Sequence, residues 1–135
     1  MRPGPGSRPQ NRENMEEKSM VNVDEKSIQI PIYIIRDNIV TANGSILYGL
    51  IALLAEESGL GYCNEPNREL SIILNTTDHA VSNAIKVLEK RRYIKIELIR
   101  NPETFEVEGR KIYPLGVTEA TIIRGERVIR DYSWW

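Results

Sequence analysis

Apolar residues at Ile46, Leu47, Leu50, Ile51 and Leu54 recur at the spacing that lays one stripe along an α-helix. Thr41 or Asn43 stands just ahead of that stripe and can cap the first turn, and Gly59 and Gly61 follow it. The pattern predicts a helix over 42–57. Asn67 then opens a short helix through Leu70, Ile73 and Leu74, and Asn75-Thr76-Thr77 supply a turn and a new cap. A third helix follows, with Ala80, Val81, Ala84, Ile85 and Leu88 on its apolar face. It closes in Lys90-Arg91-Arg92, where cations complement the negative end of the helix dipole. Two helices joined by so tight a turn form a helix-turn-helix.

From Tyr93 the period drops to two. Tyr93, Lys95, Glu97 and Ile99 alternate with Ile94, Ile96, Leu98 and Arg100, which predicts a strand with one aliphatic face. Asn101-Pro102-Glu103 breaks it, and Arg110 to Leu115 is the expected return strand, ended by Gly116. The loop of about ten residues between them is the expected wing. Upstream, Ile28 to Ile35 is apolar and β-branched, and Pro31 limits it to an edge strand or an extended lead-in. The fold class expected is α+β: a winged helix-turn-helix of three helices plus a β-hairpin, over residues 28–116.

The flanks read differently. Residues 1–27 carry early prolines and then a string of charges, with only Val21 and Val23 hinting at burial near the end. Such a segment cannot offset its ordering entropy and is expected to be a disordered, solubilising tail or a loose phosphate-binding arm. Residues 117–135 hold Ile122-Ile123 and Val128-Ile129 around Arg124-Gly125-Glu126-Arg127, a hairpin turn or an interrupted helix. Tyr132, Trp134 and Trp135 follow, large apolar groups expected to bind a partner, to join two copies in a homodimer, or to pack on the first helix of their own chain.

Composition removes several function classes. The 135 residues are 41% hydrophobic and 27% charged with a net charge of -1, ordinary for one globular domain. The charge is unevenly spread: residues 13–75 are acidic, whereas residues 76–130 carry an excess of bases. One basic half can present a basic face in a neutral protein. Cys63 is the only cysteine and His79 the only histidine, which leaves no intramolecular disulfide and no Cys/His metal site. No apolar run reaches the roughly 20 residues that span a bilayer, and no signal peptide is visible, so a cytoplasmic location is expected. Glycine-rich phosphate loops are absent and His79 has no nucleophile beside it, so neither a cofactor nor an enzyme is expected.

With Val81, Ile85 and Leu88 turned inward, the third helix presents Asp78, His79, Ser82, Asn83 and Lys86 outward. Short hydrogen-bonding groups near a helix N-terminus suit base edges in the major groove: Asn pairs with adenine, Ser reaches either kind of base, and Lys suits guanine or phosphate. Thr77 begins this stripe. Lys90, Arg91, Arg92 and Lys95 form the densest basic cluster, expected to hold backbone phosphates. Glu103, Glu106 and Glu108 make the wing acidic, so it either points away from a duplex or touches it only through Arg110 and Lys111 at its base.

Residues 30–115 resemble the winged-helix DNA-binding domain of phage and plasmid replication-initiation proteins of the replisome-organiser type. The resemblance runs through Thr41 to Leu54 (TANGSILYGLIALL), Gly61-Tyr62-Cys63, Asn67 with Leu70, Val81 to Glu89, Tyr93 to Ile96, and Arg110 to Tyr113. It implies that Ser82, Asn83 and Lys86 read bases in double-stranded DNA, in replication initiation or transcriptional control. A replication or host protein is a further expected partner, although the long C-terminal partner-binding region common in that family has no counterpart here. Where that family carries a gly-val-ser turn, this chain has Asn75-Thr76-Thr77. The competing expectation is a winged-helix module that binds protein rather than DNA.

Overall fold

A computed structural model describes residues 22–116, and the expectations for residues 1–21 and 117–135, Tyr132, Trp134 and Trp135 among them, lie outside it. Among the described residues the chain is α+β: four helices and a two-stranded antiparallel hairpin, an order compatible with a winged-helix layout. None of those helices is long and apolar enough to cross a membrane.

The first described element departs from the expected edge strand or extended lead-in. Ile32–Ile35 forms a single turn of helix, α1, with Pro31 at its N-cap. The Pro31 carbonyl accepts from the amides of Ile34 and Ile35 at 3.1 and 3.3 Å. Proline lacks a donor but starts a helix well, because its fixed φ suits the first turn. Before it, Ile28 to Ile30 pass against α2 (Ala42–Ser58), where Gly49 makes room: a Cβ there would lie 3.0 Å from Ile28 Cδ1 and 3.2 Å from the Gln29 carbonyl. Within the stretch expected to be a tail, Val23 packs against the core and Lys26 Nζ pairs with Glu57 at 3.3 Å.

Thr41 caps α2, its hydroxyl accepting from the Gly44 amide at 3.0 Å, and Gly59 ends the helix in the left-handed conformation at φ 75°. Leu47, Leu50, Ile51 and Leu54 bury one side of it. α3 (Asn67–Leu74) ends at Asn75, also left-handed at φ 56°, with the Thr76 amide donating back to the Ser71 carbonyl at 2.9 Å. Asparagine tolerates that conformation better than most residues. Thr77 then caps α4 (Asp78–Lys90), accepting from the Ala80 amide at 3.0 Å.

α4 buries Val81, Ile85 and Leu88 against α2 and α3. The hairpin pairs β1 (Ile94–Arg100) with β2 (Val107–Pro114), with Ile96 opposite Ile112 and Lys95 opposite Tyr113. The return strand thus starts three residues earlier than expected, and the connecting loop is 101–106, shorter than the wing expected from sequence. Asn101 organises it, its side-chain oxygen accepting from the amides of Glu103 and Thr104. One residue outside the hairpin extends the sheet: Cys63 exchanges two backbone hydrogen bonds of 2.8 Å with Ile112 of β2. Tyr93, expected on the polar face of the strand, precedes β1 and is fully buried.

Candidate nucleic-acid interface

The α3–turn–α4 unit sets the position of every candidate base-reading residue. Its angle is held by the backbone turn at Asn75 and by a second link, in which the buried Ser71 hydroxyl donates to Asp78 Oδ1 at 2.7 Å. Asp78 is therefore engaged in joining the two helices, and Thr77 in capping the second.

Beyond Asp78, His79, Asn83, Lys86 and Lys90 are exposed along one side of α4, and Ser82 beside them is half-buried. Asn83 Nδ2 lies 3.2 Å from His79 Nε2, within hydrogen-bond reach one helical turn apart. That contact orients the carboxamide without burying it. A ligand meeting this side finds an imidazole, a hydroxyl, a carboxamide and two ammonium groups, with no carboxylate between His79 and Lys86.

The basic cluster divides in two. Arg92 and Lys95 are exposed, with Lys90, and face solvent around the end of α4. Arg91 does not join them: its Nε donates to Asp37 Oδ2 at 2.8 Å, and Asp37 is 1% exposed. The cation assigned from sequence to a phosphate is thus tied to a buried carboxylate. Burial alone would raise the Asp37 pKa. Hydrogen bonds from the Tyr93 hydroxyl at 2.6 Å, the Ile39 amide at 3.0 Å and Arg91, together with the Arg91 charge, outweigh it and hold the carboxyl below its ordinary value.

Arg92 closes α4 in an unusual way. Its amide donates to the Glu89 carbonyl at 3.0 Å and the Tyr93 amide to the Leu88 carbonyl at 2.9 Å, the pair of hydrogen bonds that ends many helices. The residue between normally is glycine, because φ there is left-handed; here Arg92 takes φ 68°.

At the hairpin base the two expected contacts also separate. Arg110 is half-buried, its Nη2 donating to the Asn67 side chain and to the Glu65 carbonyl, so it braces the start of α3. Lys111 lies on the other face, 5.1 Å from the centre of the Tyr62 ring, and Lys95 lies 5.3 Å from that of Tyr113. The two rings meet edge to face at 5.4 Å. The Tyr113 phenol is raised above its ordinary pKa by desolvation and by its hydrogen bond to Glu97 Oε1 at 3.1 Å. Sequence reasoning missed Tyr62 and Tyr113. The alternation from Tyr93 puts Lys95 on the outer face, but pairing it with Tyr113 requires the strand register.

The hairpin tip stands away from α4's basic end in character. Phe105 is 70% exposed and Val107 52%, among Glu103, Glu106 and Glu108. Comparison of the chain with protein-family models, with curated proteins and with solved structures found no match.

Proposed function

We propose that this chain is a winged helix-turn-helix protein that binds double-stranded DNA, with α4 entering the major groove. One observation carries the reading: an exposed row of His79, Asn83, Lys86 and Lys90, with Ser82 at its edge, lies on a helix whose opposite side is locked into the core by Val81, Ile85 and Leu88. In this reading Ser82 and Asn83 contact base edges, Lys86 contacts guanine or phosphate, and Lys90, Arg92 and Lys95 hold the backbone. The rigid anchoring of α4 supports it, because base readout needs side chains presented in fixed register. The resemblance to phage and plasmid replication initiators directs the proposal toward replication initiation or transcriptional control at a specific site.

A second reading, protein recognition through the hairpin, is favoured by the exposed Phe105 and Val107 set among acidic residues, a surface ill suited to phosphate. Titration of a fluorescent duplex with the full chain at several salt concentrations separates the two. The DNA reading expects affinity that falls steeply with salt and is weakened by Lys86→Ala. Binding absent at low salt, or indifferent to Lys86, favours the protein reading.

A further inference from the structure

We infer that the segment after Gly116 folds back onto its own domain and seats Trp134 and Trp135 in the groove on the outer side of α2. The sequence of α2 is the first argument. From Thr41 to Ala55 it carries no charged residue, a composition suited to a helix covered on every side. Within the described residues α4 and β2 cover one side and Ile28 to Ile30 another, yet Ala52 and Leu53 remain partly open. They line a groove of about 600 Å³ with Ile30, Pro31, Tyr48 and Glu56, and no α4 residue borders it.

The point where the described chain ends is the second argument. The Tyr48 hydroxyl, at the groove wall, donates to the Leu115 carbonyl at 2.6 Å. The next residues therefore start beside the groove, and a second, shallower hollow lined by Pro114, Ala52 and Glu56 continues it along the helix. Reach is ample. Residues 117–134 extended span about 60 Å, against about 25 Å for the length of α2. Two indoles, each with about 150–250 Å² to bury, offer apolar area to Ile30, Ala52 and Leu53, and Arg130, four residues before Trp134 in sequence, offers a charge to Glu56 on the groove's polar wall with Ser27 and Gln29. The tether favours this occupant over a second copy, because it holds the aromatics near the groove at an effective concentration of order mM. Since the groove lies off α4, its occupation leaves the exposed row of that helix open.

Trp134 and Trp135 are the only tryptophans, so indole fluorescence of the full chain reports on them alone. The expected result is blue-shifted emission, weak quenching by acrylamide, and a monomeric mass by light scattering that does not change on dilution. Leu53→Glu, and separately the milder Ala52→Glu, should red-shift the emission and raise quenching several-fold while the far-ultraviolet circular dichroism is kept. Water-like emission from the unaltered chain overturns the proposal without any variant. So does buried emission that both folded variants leave unchanged. Emission that red-shifts on dilution as the mass halves assigns the groove to a second copy and likewise overturns it.

Discussion

Arg91 donates from Nε to Asp37 Oδ2 at 2.8 Å, joining residues 54 positions apart and fixing the basic end of α4 to the loop after α1. Tyr93 donates to the same oxygen at 2.6 Å. Asp37→Asn leaves the Arg91 guanidinium, with a side chain only 15% exposed, facing a neutral amide. The expected cost is about 3 kcal/mol, the lower end for breaking a buried pair because some solvent still reaches the arginine. Urea unfolding of the variant measures it, and a loss below about 1 kcal/mol would mean the pair contributes little.

The same carboxylate sets an acid limit. Its pKa is depressed below 3.8 in the folded chain, so its contribution is fully present above about pH 4 and is lost as pH falls through the lower, native value. Thermal melts of the unaltered chain and of Asp37→Asn should therefore converge below that range and stay separated above it. Parallel curves from neutral to strongly acid pH would contradict this.

Arg92→Gly should stabilise the fold by up to about 1 kcal/mol, since φ 68° strains any residue with a Cβ. In the proposed function the same change removes a phosphate contact and lowers the slope of log affinity against log salt by about one unit. Arg91→Ala should leave that slope alone and lower only stability. A salt slope changed by Arg91 and not by Arg92 would invert these roles.

Burial pushes the Cys63 thiol above its ordinary pKa, with the negative charge of Glu65 in the same direction. The side chain is 1% exposed, and its backbone is paired with Ile112. Iodoacetamide labelling at neutral pH, followed by mass spectrometry, should be negligible in the native chain and complete after unfolding in guanidinium. Rapid native labelling would show that the bridge to β2 opens readily.

α2, α3 and α4 were legible in the sequence because their signals are local. Thr41 and Thr77 precede apolar stripes and both act as caps, and Val81, Ile85 and Leu88 recur at helical spacing and are buried. What was not legible depends on distant pairing. Arg91 and Arg110 sit in basic stretches that resemble phosphate clamps, and only the folded chain brings Asp37 to one and Asn67 to the other. Pro31 misled for a different reason: one proline is compatible with an edge strand and with a helix start, and the next residues decide between them. The outward row on α4 followed from the period once the inward face was known. Asp78 is outward as expected, but its bond to Ser71 crosses between helices and was not legible.

The central claim is that α4 reads base sequence, and Asn83→Ala tests it most directly. Repeated selection from a random duplex pool with the full chain should enrich one sequence, and binding to it can be compared with binding to a scrambled duplex at one salt concentration. The account predicts that Asn83→Ala loses about 1–3 kcal/mol on the enriched duplex and much less on the scrambled one, with the melting temperature unchanged. No enrichment, or an equal loss on both duplexes, would contradict it.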